Sequence, residues 1–139
     1  MNDIVVTLLG EFQRDRERLE IEMHTREKKQ REHKHGFFCI FPWSTCQREK
    51  QTIADMKVLI SSYCAAEKGL ASGDYSDAIR LMHWIVFQLT TELGKLWVAS
   101  PPAKLEEILD VSERRELYDT RIAQLSELRK MQQESEEID

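Results

Sequence analysis

Residues that interrupt helices are scarce in this chain: five glycines and three prolines in 139 residues. A many-stranded β fold needs more turn residues than that, so long helices are expected. No apolar run approaches the roughly 20 residues of a membrane-spanning helix. No glycine-rich phosphate loop is present, which excludes the familiar nucleotide sites. A basic excess is also missing. The formal charge of −5 argues against a general nucleic-acid surface. The opening MNDIVVTLLGEFQ lacks the basic lead, the longer apolar stretch and the small-residue cleavage site of a secretory signal. Cysteine is rare and odd in number, at Cys39, Cys46 and Cys64. These read as free thiols in a reducing compartment. The expected location is the cytoplasm, or a reducing host cytosol reached without a cleaved signal.

What the chain does carry is helical periodicity. A single domain over residues 1–139 fits the length. Helix one opens at Asp3, with Val5, Leu8, Leu9, Phe12, Leu19 and Met23 on one face. Asp15 and Arg16 interrupt that stripe. Residues 24–35 (HTREKKQREHKH) are a polar, basic extension of the same helix. Gly36 ends it, and the apolar loop GFFCIFPW follows at 36–43. Ser44 and Gln47 read as a capping box for helix two. Its inner side is Cys46, Ile53, Met56, Ile60, Tyr63 and Cys64, and Lys68–Gly69 reads as its end. Helix three spans 74–98. A short helix is expected at 103–109, then a last helix from Ser112 to about residue 133, with Val111, Tyr118, Ile122, Leu125 and Leu128 inward. The acidic end, 134–139, is expected to fray. The fold class is therefore all-α: an antiparallel bundle of four long helices plus one short helix.

Helix three is apolar on two opposite faces. Tyr75, Ala78, Ile79, Met82, Ile85, Val86, Leu89, Leu93, Leu96 and Trp97 form the broad stripe. Trp84, Phe87 and Val98 fall opposite, beside Arg80 and Thr91. A helix apolar on both sides is central in its fold or half covered by a partner. Aromatics next to an arginine match the make-up of an interface hot spot. Arg80, Trp84, Phe87 and Thr91 are thus the candidate protein-binding residues.

Other constellations carry less chemistry. His33, His35, Cys39 and Cys46 have an H-x-H-x3-C-x6-C spacing, unlike the tight ligand pairs of zinc sites. Cys39 or Cys46 with a histidine is the alternative reading as a cryptic enzyme or metal-binding protein, but no third, orienting group accompanies them. The basic-aromatic segment 26–43 gives a second alternative, a membrane-surface module. Lys and Arg would meet anionic headgroups while Phe37, Phe38, Phe41 and Trp43 enter the interface. The bland reading of that loop is a plug for the open end of the bundle. Those four aromatics are the candidate membrane or partner contact, and the exposed part of helix one is a secondary contact for the protein-binding face. No catalytic residue, cofactor, metal, nucleic acid or small-molecule substrate is expected.

Two resemblances add to this. AAEKGLASGDYSDAIRLM, residues 65–82, resembles the turn between the two helices of a tetratricopeptide hairpin. No second copy lies 34 residues away, so it implies one turn and not a repeat array. The same turn resembles one found in HEPN-type helical domains, whose ribonuclease motif this chain does not reproduce on its later helices. Residues 35–64 (HGFFCIFPWSTCQREKQTIADMKVLISSYC) resemble small helical modules in secreted effectors of Legionella-type intracellular bacteria. That resemblance implies a host-directed effector, or a small regulator that occludes the active face of one. The resulting expectation is a non-catalytic protein-binding module: a regulator, inhibitor or adaptor that also forms a homodimer.

Overall fold

The computed structural model describes residues 2–32 and 45–138. Among these the chain forms four helices and no strand: α1 (Asp3–Glu32), α2 (Thr45–Ser72), α3 (Ser76–Trp97) and α4 (Leu105–Ile138). Helices adjacent in sequence pack on one another. The basic-aromatic loop 36–43, with Phe37, Phe38, Phe41 and Trp43, lies outside the described residues, as do His33, His35 and Cys39.

Local chemistry sets the helix ends, in places differently from expectation. Asn2 caps α1, not Asp3: the Ile4 N–H donates to Asn2 Oδ1 at 2.8 Å. α2 does not end at Gly69 but continues to Ser72. Gly73 (φ 87°) turns the chain into the left-handed region that favours glycine. The Asp74 N–H then donates back to the Gly69 carbonyl at 2.9 Å, the bond of a Schellman cap. Gly69 is needed for a different reason: a Cβ there would run into the Asp74 carbonyl. α3 starts where the Ser76 N–H donates to Asp74 Oδ1 at 3.1 Å. That bond, foremost, holds the Asp74 carboxyl below its ordinary pKa.

The short helix expected at 103–109 and the last helix are one continuous element, Leu105–Ile138. Residues 103–138 contain no glycine or proline to part them. For the same reason α4 continues through the acidic end as far as Ile138.

All four helices contribute to one core. Val5, Leu8 and Phe12 of α1 meet Tyr63, Ala66 and Leu70 of α2, Ala78, Leu81 and Met82 of α3, and Leu125 and Leu128 of α4. Phe12 and Tyr63 pack edge to face at 5.8 Å. Each fully buried side chain of this size contributes about 1.5–3 kcal/mol by burial. A second cluster, Met23 with Ile53 and Met56, belongs to α1 and α2 alone. Leu89, Ile108 and Val111 are buried outside both clusters.

Three expectations about individual side chains are corrected. Trp97 is 65% exposed, although it shares the inner stripe of α3. Leu89 is the last buried residue of that helix, which runs on past the core. Cys64 is exposed and free, not packed. The α2 stripe advances by threes and fours through Ile53, Met56, Ile60 and Tyr63, so the residue after Tyr63 is rotated outward by about 100°. Cys46 is disulfide-bonded, so the three cysteines are not all free thiols.

Candidate functional site

On α3 the inner face is committed to the core by Ala78, Leu81, Met82 and Leu89. The opposite face keeps its apolar groups in solvent. Trp84 is 50% exposed, Phe87 65% and Val98 82%. Arg80 reaches Asp77 at 3.5 Å, a surface pair one turn away. Pairs of this kind contribute little to stability and leave the guanidinium available. Thr91 Oγ1 donates to the Phe87 carbonyl at 3.0 Å and so presents its methyl side.

Arg80 and Trp84 also help to form a groove of about 580 Å³ between α2 and α3. Val58, Leu59 and Ala65 supply its α2 wall, and Leu81 its floor from α3. Val58 is itself 68% exposed. Phe87 and Thr91 do not line this groove but stand on the adjoining ridge. The four expected residues therefore share one helix face without converging on one cavity.

Sequence reasoning missed Gly94. Arg80, Trp84, Phe87, Thr91, Gly94 and Val98 follow one another by alternating steps of four and three, the spacing of a helix-pairing seam. Gly94 is exposed within α3, and a Cβ built on it meets nothing within 4 Å. Its φ is not positive, since Gly73 alone has that conformation among the described glycines. A glycine inside a helix costs about 1 kcal/mol relative to alanine. Nothing among the described residues calls for it.

The second group that sequence reasoning missed is buried and ionic. Arg121 is 5% exposed. Its Nε donates to Glu11 at 2.9 Å and its Nη1 to Asp15 at 2.6 Å, joining α4 to α1. The guanidinium lies over the rings of Tyr118 (5.0 Å) and Phe12 (5.8 Å), where cation–π attraction adds to the ion pairs. Tyr63 donates its hydroxyl to Asp15 at 3.3 Å. Burial opposes the charge on Arg121, but the Asp15 hydrogen bond and the two carboxylates outweigh it and raise its pKa. Burial pushes the hydroxyls of Tyr63 and Tyr118 upward in pKa. Arg121, Glu11, Asp15 and Tyr63 satisfy one another, which describes a clasp between helices. The same holds further along α1. Arg16 bonds Glu67 at 2.6 Å, and Arg26 bonds Glu22 and Glu49. Hydrogen bonds to Glu67 and Glu20 raise the Arg16 pKa, and bonds to Glu49 and Glu22 raise that of Arg26.

Among the described residues no three His, Cys, Asp or Glu side chains are grouped to hold a metal. No helix among them is long and apolar enough to cross a membrane. No protein-family model matches the chain, and no curated protein or solved structure matches it.

Proposed function

We propose that the helices form an antiparallel bundle acting as a non-catalytic protein-binding module. It is a small regulator, inhibitor or adaptor that works by steric occlusion of a partner protein, and it can homodimerise. The observation that carries this reading is the exposure of Trp84 (50%) and Phe87 (65%) on the α3 face turned away from the core. Large rings left half or more in water, beside an available arginine, are what a docking surface buries. Burial of Ala78, Leu81, Met82 and Leu89 fixes α3 against the other helices and so presents that face rigidly, which lowers the ordering cost of binding. The resemblance of residues 35–64 to effector modules suggests a bacterial effector enzyme as the occluded partner. The proposed site of action is the cytoplasm or, after export, a host cytosol.

A photocrosslinking amino acid at position 87, and at Lys50 on exposed α2 surface as a control, tests the reading in living cells. Protein adducts at position 87 that are absent at position 50 are expected. Equal labelling at both positions, or none at 87, would contradict it.

A further inference from the structure

The α3 seam is uneven in a way that selects its own complement. At one end stand the bulky Arg80, Trp84 and Phe87; at the other, the smaller Thr91, Gly94 and Val98. We infer that the partner of this face is a second copy of the chain, packed against it through α3 in antiparallel register. This rests on the reading of the face as a docking surface.

In the antiparallel register centred on Leu89, Trp84 lies against Gly94 of the second copy. Phe87 lies against Thr91, and Arg80 against Val98. A two-fold axis makes each of these contacts twice, as an isologous interface requires. Each large side chain then meets a small one, which is how knobs find holes. A parallel pairing would set Trp84 on Trp84 and Gly94 on Gly94, crowding one end and leaving a void at the other. Antiparallel packing therefore explains the helical glycine: it lets the indole of the other copy approach the α3 backbone.

Area supports the same occupant. Trp84, Phe87, Val98 and Arg80 are between 50% and 82% exposed. With aromatic side chains of about 150–250 Å², and Val98 and Arg80 taken at about the same size, they offer roughly 550 Å² per copy. Two copies bury about 1,100 Å², the size of a weak, reversible interface. Exposed Val58 borders the seam and adds to it. An interface of this size and composition fits a dimer of micromolar affinity.

The test uses the full chain in sedimentation equilibrium up to about 200 µM, a range that brackets micromolar dissociation. A monomer–dimer equilibrium is expected. Gly94→Leu should weaken it at least 100-fold and Gly94→Ala about tenfold, with the circular dichroism of the monomer unchanged. Gly10→Ala, which fills equally open space on α1, should leave it unmoved. Register is read separately, with a spin label at Asp77→Cys in a Cys64→Ser background. Antiparallel packing places the two labels about 36 Å apart, from 24 residues at 1.5 Å each; parallel packing places them at about 10 Å. A chain that stays monomeric overturns self-pairing, and crosslinking at position 87 then decides whether the face docks anything else. A dimer indifferent to Gly94→Leu, or with labels near 10 Å, overturns this packing. If Trp84→Ala with Phe87→Ala also leaves such a dimer intact, the docking face falls with it.

Discussion

Arg121→Leu is the substitution that the packing makes most informative. The guanidinium is 5% exposed and serves Glu11 and Asp15 together. Removing it leaves Asp15, whose side chain is 13% exposed, with the Tyr63 hydroxyl in place of a counter-charge. Breaking a buried pair by deleting one partner costs about 3–5 kcal/mol. Glu11 is 26% exposed and can turn to water, so the lower end applies, about 3 kcal/mol. For a chain of this length that is a fall in Tm of about 10 °C. Urea unfolding followed at 222 nm should show the midpoint moving with its slope unchanged. Replacing the stranded acid as well, in Arg121→Leu with Asp15→Leu, should recover about 1–2 kcal/mol, because an apolar pair of similar volume substitutes well for a buried ion pair. If Arg121→Leu unfolds within about 0.5 kcal/mol of the parent, the clasp does not hold α1 to α4 and the reasoning fails.

Other expectations follow from single sites. Gly73→Ala forces a Cβ into the left-handed region and should cost about 1–2 kcal/mol by thermal unfolding. Gly69→Ala, whose Cβ collides with the Asp74 carbonyl, should cost about 2 kcal/mol or more. Gly94→Ala and Gly10→Ala meet open space and should each stabilise the monomer by about 0.5–1 kcal/mol in urea titrations. Burial raises the pKa of Tyr63 and Tyr118 in the folded chain. Their protons are therefore lost first by the unfolded chain, whose tyrosines ionise near pH 10. The stability they contribute is complete below about pH 10 and declines above it, by up to about 1.4 kcal/mol per pH unit for each. Phenolate absorbance from these two residues should appear only as helicity is lost. A phenolate signal that precedes unfolding would refute the burial argument.

Much of the fold was legible in the sequence because core positions recur at helical spacing. Val5, Leu8, Phe12 and Met23 of α1, and Val111, Leu125 and Leu128 of α4, were all expected inside and are buried. Helix ends were less legible, since they depend on contacts across a turn. Gly69 reads as a stop until Asp74 is seen folding back on it, and the true stop is four residues later. The ionic clasp left a trace that propensity alone does not read. Asp15 interrupts one inner stripe and Arg121 lies within another. Opposite charges inside two apolar stripes signal a pair, but which helices meet is a tertiary fact. Trp84 and Phe87 were legible as a second apolar face. Gly94 was not, because a glycine in a helical pattern becomes informative only when the space around it is known to be empty.

The most direct measurement compares Phe87→Ala with its parent in two assays on the same samples. Phe87 is 65% exposed, so the share of the ring it buries is small, and alanine is the better helix former. The unfolding free energy of the monomer should change by less than about 1 kcal/mol, while dimers formed through the α3 face fall at least tenfold. A loss of about 3 kcal/mol or more, the penalty of truncating a core phenylalanine, would mean that the ring serves the fold and not a docking surface.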